Sequence, residues 1–403
     1  MEALLILSAL RRNKTGAVLI ALQIALTLAI VSNSLHVAQQ QVERMSRPTG
    51  IDEANVFSFY NIWAGDPQDL ESRLQTDLAA IRSTPGVVDG FATEALPLTG
   101  GGYSTTVDRQ RNDRSGVTAA LYPMDDHGLA TLGLRLTAGR WVTADEIVKW
   151  NGKQQSPDAA PVALVTAALA KALYPEGDAL GRDIYISGNQ LRIIGIVARL
   201  EAPSLHGQDE ALENSIIVPY LWVDSAPLYV VRARPGQRDR VLRAVQQRLF
   251  AIRRDRVIPN IRTFTETRTR AYQPFSAMAT ILTVVSSVLL VTTAVGLIGL
   301  TSFWVSQRRR QIGIRRALGA RKFHILRYFH IENVLVVGAG ALVGVALAVA
   351  LNLFIVRQFE MGRMPGEFIV AGVLLVLCLG QLSVIGPALR AAAIPPALVA
   401  RET

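Results

Sequence analysis

The 403-residue chain has one cysteine and only five histidines. A lone cysteine, Cys378, leaves no disulfide to brace an external domain, and its position in an apolar run makes it a small packing residue. His36, His127, His206, His324 and His330 are scattered without metal-ligand spacing. No G-x-S-x-G occurs, and no G-x-x-x-x-G-K-[ST] phosphate loop, so the sequence offers neither a nucleophile elbow nor a nucleotide site of that kind. The one tempting constellation is Asp125, Asp126 and His127 in PMDDHG. Adjacent residues point in different directions, so a polar turn or helix cap is the better reading. No catalytic, cofactor-binding or metal-binding residues are expected.

Charge is scarce too. Charged residues make up 18% of the chain against 50% apolar, with mean hydropathy +0.27, which is too apolar for an ordinary soluble protein. Stretches 16–35, 276–305, 333–356 and 368–388 are nearly free of charge. Each is about the ~20 residues that cross a bilayer as a helix. Arg11, Arg12 and Lys14 precede the first, and Arg308 to Lys322 follow the second, which puts both termini and the 307–330 segment in the cytoplasm. The net charge of +10 is mainly this topology signal, so nucleic acid is not an expected partner. Residues 1–34 read as a retained anchor, because the apolar stretch is longer than a signal-peptide core and lacks an A-x-A-like site. MEALLILSAL, with Leu4, Leu5, Leu7 and Leu10, suggests a helix lying in the inner interface over 1–15, in contact with lipid.

The fold class that follows is a membrane protein of four transmembrane α-helices plus a large α+β extracytoplasmic domain. The map runs as a first span and stalk over 16–38, an external domain over 39–273 and a second span over 274–306. A cytoplasmic segment over 307–330, a third span over 331–356, an external loop over 357–366, a fourth span over 367–390 and a cytoplasmic tail over 391–403 complete it. In the external domain NVFSFYNIW (55–63) reads as a strand. Asp66 and Pro67 start a helix whose face is Leu70, Leu74, Leu78 and Ile81, and VVDGFAT (87–93) is the next strand. A second unit pairs strand LYVVRAR (228–234), helix 238–251 and strand VIPNIRTF (257–264). Two such units at the domain's ends predict a split β-α-β core over about 50–95 and 214–265, with residues 96–213 as a glycine-rich insertion of short strands.

The spans carry no charged residue in their interiors, and Glu332 sits at the cytoplasmic entrance of the third. Gln23, Asn33, Asn352 and Gln381 suit interhelical hydrogen bonds, and Gly340 and Gly344 form a G-x-x-x-G for close helix packing. The strongest local signal is RRRQIGIRRALGARKFHILRYF at 308–329, strongly basic and without an acidic residue. On a helical wheel Arg308, Arg309, Arg315 and Arg316 share one arc with Ile312 between them, while Ile314, Ala317 and Leu318 fall nearly opposite. Gly319 is placed to stop that helix, and a second amphipathic helix runs into the third span.

RRRQIGIRRALGARKFHILRYFHIEN resembles the signature after the second span of MacB/FtsX-like ABC transporter permeases, approximately R-x-x-E-I-G-I-R-x-A-x-G-A. LRRNKTGAVLIALQIALTLAI, AGRWVTADE, VALVTAALAKALYPEGDALGRDIYI, LRIIGIV and PALRAAAIPPALVARE are similar to other parts of that family, in the same order. The resemblance implies a permease that works as a homodimer or heterodimer in a bacterial inner membrane. A separate ABC ATPase would bind ATP and Mg, with no cofactor in this chain. It makes Arg308, Gln311, Ile312, Gly313, Ile314, Arg315, Arg316, Ala317, Leu318 and Gly319 the coupling helix that contacts the ATPase. Motion would pass mechanically to the external domain, often with a periplasmic adaptor and an outer-membrane exit duct. Tripartite efflux is the expected use. Lipoprotein release, a division-type regulator of cell-wall hydrolases and a non-transport receptor or scaffold are the alternatives. Gln311 stands where the family usually has Glu, so a charge pair there becomes a hydrogen bond only.

Overall fold

The computed structural model describes residues 14–65, 68–111, 115–150, 160–205, 211–317, 321–359 and 362–393. The expected interfacial helix before Lys14, the cap at Asp66 and Pro67, His206, Leu318, Gly319 and the tail beyond 393 lie outside them. The chain divides into an external unit, Arg47–Gln273, and a membrane unit, Met1–Ser46 with Pro274–Thr403.

The first helix, α1 (Lys14–Ser46), runs further than the stretch expected to span. In the external unit β1 (Val56–Tyr60) is followed by the short β2 (Ile62–Trp63), α2 (Leu70–Arg82) and β3 (Val87–Thr93). The insertion then supplies β4 (Tyr103–Asp108), β5 (Val117–Pro123), α3 (Gly128–Leu132), β6 (Leu136–Gly139) and β7 (Val148–Trp150). It continues with β8 (Val162–Thr166), α4 (Ala167–Leu173), β9 (Asp183–Ile186), β10 (Asn189–Val197), β11 (Ser215–Val218) and β12 (Tyr220–Trp222). The closing elements are β13 (Leu228–Ala233), α5 (Arg238–Ile252), β14 (Arg256–Val257), β15 (Ile261–Thr263) and the start of α6 (Phe264–Gln307).

The core sheet has the order β15-β1-β13-β3 with every neighbouring pair antiparallel. β1-α2-β3 and β13-α5-β15 are therefore the two expected β-α-β units, interleaved in one sheet. Strand alternation puts Phe57, Phe59, Tyr229 and Val231 on the helical side. There they pack against Leu74, Leu78 and Ile81 of α2 and Val241, Val245 and Leu249 of α5. Two expectations are corrected. NVFSFYNIW breaks at Asn61, and VIPNIRTF is not one strand but two short ones, because Pro259 between them cannot donate a ladder bond. Phe264 opens α6 instead of closing a strand. Under this break Arg256 is fully buried, donating to both oxygens of Asp77 at 2.7 and 3.0 Å and lying 4.4 Å from the centre of the Trp63 ring. Tyr229 also donates to Asp77, at 2.9 Å.

The insertion is more ordered than a run of short strands suggests. Its sheet follows β6-β10-β8-β11-β5-β4-β9, and β9 pairs again with β10, so the strands close on themselves. Val107, Val165, Ile184, Ile193 and Ile216 fill the interior together with Leu169 and Leu173 of α4. Within PMDDHG, Asp125 accepts from the His127 amide at 3.0 Å and His127 stands in the cap position of α3, a polar turn as read. Among the described residues no group of three or more His, Cys, Asp or Glu could hold a metal ion.

In the membrane unit α7 (Arg309–Ala317), α8 (Lys322–Phe359) and α9 (Gly366–Ala392) follow α6. α1, α6, α8 and α9 are long and apolar enough to cross a membrane. At 1.5 Å per residue α6 is about 66 Å long, roughly twice a bilayer's hydrocarbon thickness. Gly340 and Gly344 of α8 face α1: a Cβ at Gly340 would lie 2.7 Å from the Ala21 carbonyl oxygen, and one at Gly344 would lie 2.9 Å from Leu28. Asn33 donates to the carbonyls of Ala29 and Ala348, at 2.9 and 3.1 Å. Gln381 bonds His330 at 2.7 Å, and Asn352 accepts from the Met364 amide at 3.2 Å. Thr27 and Thr293 tie α1 to α6 at 2.8 Å.

Candidate coupling segment

The 308–329 segment is built on one buried ion pair. Arg308 Nη1 donates to both carboxylate oxygens of Glu332 at 3.0 Å and to the Tyr328 hydroxyl at 2.9 Å. The Glu332 side chain is 1% exposed. That pair ties the α6–α7 connection to the first turns of α8. Ile312, one turn beyond Arg308, is thereby buried among Ile325, Phe329, Val384 and Ala388. Gly313 beside it is buried as well, which suits a residue without a side chain.

Of the residues expected at the ATPase surface, Ile312 and Gly313 are buried and Arg308 is half-buried against Glu332. Ile314 points the other way and is 49% exposed, an apolar side chain on a helix that also exposes Arg309, Arg310 and Gln311. The backbone of Arg315, Arg316 and Ala317 completes α7. Gln311 lines a cavity of about 70 Å³ shared with Arg308, Ile312, His324, Ile325, Tyr328 and Phe329. The wheel set Ile314 opposite Arg309, yet both are exposed, and Ile312, placed among the arginines, is the residue that packs inward. The signal that could have shown it is Glu332, a lone acid at the mouth of a span that needs a basic partner.

Comparison with known proteins agrees with this architecture. Residues 17–248 match the family described as MacB-like periplasmic core domain, and residues 283–396 match FtsX-like permease C-terminal. Macrolide export ATP-binding/permease protein MacB 1 of Yersinia pestis bv. Antiqua (strain Antiqua) is 24% identical over 369 residues, 88% of this chain and 53% of its own length. Macrolide export ATP-binding/permease protein MacB of Escherichia coli (strain K12) is 25% identical over 378 residues, 89% of this chain and 53% of its own. The chain thus spans about half the length of the curated relatives it matches. Among solved structures, the periplasmic region of MacB from Actinobacillus actinomycetemcomitans aligns with 56% of this chain and 97% of its own, with 15% identity and a TM-score of 0.34.

Proposed function

This chain belongs to the family of FtsX-like ABC transporter permeases with a MacB-like periplasmic core domain, and we propose that it is a permease subunit driven by an ATPase on a separate polypeptide. The observation that carries the proposal is the exposed Ile314 on a helix locked from behind by Ile312 and Arg308. An apolar side chain exposed beside Arg309 and Arg310, on a helix anchored by Ile312, suits insertion into a partner's groove. ATP and Mg would be held by that partner.

In this reading the chain sits in the bacterial inner membrane with α7 in the cytoplasm and residues 47–273 outside. Closure of the ATPase pair would move α7, and α1 and α6 would carry the motion to the external domain. Stretches 16–35, 276–305, 333–356 and 368–388 contain no Asp, Glu, Lys or Arg, which supports work done on a substrate outside the membrane over passage between the spans. A second permease chain, a periplasmic adaptor and an outer-membrane duct would complete an efflux assembly; the relatives' names print macrolide export.

The test is co-purification of the chain with its candidate ATPase. Ile314→Asp should fold as wild type and lose the ATPase, because a docked charge without a partner costs several kcal/mol. Wild-type recovery of the ATPase with Ile314→Asp would sink the assignment. Labelling completes it: a cysteine placed at the exposed Ser104 should react with an impermeant thiol reagent in intact cells, and one at Ser306 should not.

A further inference from the structure

Glu201 lies in the loop after β10 and touches both segments through which the chain enters and leaves the external unit. Its amide donates to the Thr49 carbonyl at 3.0 Å, just beyond α1, and its Oε1 accepts from the Tyr272 hydroxyl at 3.3 Å, on α6. The neighbouring Gly50 makes the first contact possible: at φ +90° it sits so close to the Arg199 carbonyl that a Cβ would come within 2.2 Å of the oxygen. Glu201 is 2% exposed, and its Oε2 is buried without a hydrogen-bond partner.

Among the described residues, hydroxyl and charged groups approach Glu201 from several elements. From α6 come Tyr272 and Arg268. Arg268 also donates to Glu53 Oε1 at 2.5 Å and to the Arg47 carbonyl at 2.7 Å. The segment after α1 supplies Arg47 and Glu53, and the loop itself supplies Arg199, which pairs with Glu213 at 3.4 Å. From β5, the Tyr122 hydroxyl donates to the Glu201 carbonyl. Among the described residues no guanidinium reaches hydrogen-bonding distance of Oε2, so ionisation leaves a buried oxygen bare.

We propose that Glu201 is a proton-operated latch that holds the root of α6 and the exit of α1 to the external domain when neutral and releases them when ionised. Burial pushes its carboxyl up to about 7, outweighing the Tyr272 hydroxyl and the three arginines, which pull it down. The buried arrangement therefore binds the proton more tightly than any arrangement that wets the side chain. By linkage, rising pH favours the wetted one. Between the ordinary carboxylate range and pH of about 7, the open-to-closed ratio should rise by up to about tenfold per pH unit and then level off. An external domain feels the pH of its medium, so the mechanical path would be looser in alkaline surroundings. That consequence rests on the function proposed above; the latch itself does not.

Hydrogen exchange on the full-length chain, without ATPase, tests the latch alone. Peptides covering 47–55 and 264–273 are followed from pH 5 to pH 8, each corrected for the intrinsic rate at that pH. Wild type should lose protection there up to a plateau at about pH 7, while Glu201→Gln stays protected throughout. Peptides from β8 and β10 report whether each variant is folded. Tyr272→Phe keeps the carboxyl and loses its donor, so its step should persist with a midpoint at higher pH. The proposal is overturned by a wild-type profile parallel to that of Glu201→Gln, by faster exchange in Glu201→Gln than in wild type at every pH, or by a Tyr272→Phe profile that coincides with wild type. Loss of ATPase binding by Ile314→Asp would bear on none of these outcomes.

Discussion

Arg308 and Glu332 stand twenty-four positions apart in sequence and are joined through one guanidinium nitrogen to both carboxylate oxygens at 3.0 Å. The pair sets the direction in which the chain turns after α6. Removing Arg308 leaves the buried Glu332 carboxylate unpaired, so Arg308→Ala should cost about 3–5 kcal/mol of stability. Arg308→Met combined with Glu332→Met should recover most of that loss, since apolar replacement of both members is often neutral. Thermal melts of the detergent-solubilised chain distinguish the two. A double variant as unstable as Arg308→Ala would mean that the hydrogen bond to Tyr328 matters more than the charge pair.

Gln311 stands beside Arg308 and His324 on the wall of a small cavity. Gln311→Glu should raise stimulation of the partner ATPase by several-fold at most, the scale of a partly exposed charge-assisted contact worth on the order of 1 kcal/mol. Steady-state ATP hydrolysis by the reconstituted complex reads this, with Gln311→Ala as control. Identical rates for the three proteins would remove position 311 from coupling.

The two glycines of α8 that face α1 can be set against one that does not. A Cβ at Gly340 meets the Ala21 carbonyl at 2.7 Å and the Ile24 side chain at 2.9 Å, whereas one at Gly338 meets nothing within 4 Å. Gly340→Ala should therefore cost about 1–3 kcal/mol by overpacking. Gly338→Ala should be neutral or stabilise by up to about 1 kcal/mol through helix propensity. Equal melting temperatures for the two variants would show that α1 and α8 are not held together at this spacing.

Glu94, half-buried just after β3, gives the external domain a second pH-dependent carboxyl. Burial, with Asp224 nearby, pushes it up to about 7, and its Oε2 is buried without a partner. A carboxyl raised in the folded state contributes its full stability below the ordinary carboxylate range. It loses that contribution as pH climbs to about 7. Glu94→Gln should match wild type at pH 5 and exceed it at pH 8, as read by denaturant midpoints across that range. A midpoint difference independent of pH would assign the effect to packing.

Much of this fold was legible because its signals are local. The period of Leu74, Leu78 and Ile81 sets the buried face of α2 wherever that helix lies. The charge-free stretches mark spans because any bilayer demands them. The β-α-β units were readable for the same reason, and their interleaving follows from few allowed topologies. Pro259 broke a strand that hydrophobicity alone had joined. The closure of β9 onto both β4 and β10 depends on pairing between distant residues, and no local pattern announces it. At the 308–329 segment the missing information was again long-range. Ile312 and Ile314 are equivalent in type and two residues apart, and only the reach of Arg308 to Glu332 decides which one faces out.

The strands that begin and end the core sheet, β1 and β15, lie side by side through three residue pairs, Phe57 with Thr263, Ser58 with Arg262 and Phe59 with Ile261. The chain arrives at one strand and departs from the other at the same end of the pair. A pull shared equally by the two connections loads these pairings in parallel and moves the domain as a whole. A pull that spreads the connections apart peels them singly, starting at Phe57 and Thr263, where resistance to force is least. This pairing resists a shared pull better than one that spreads the two connections.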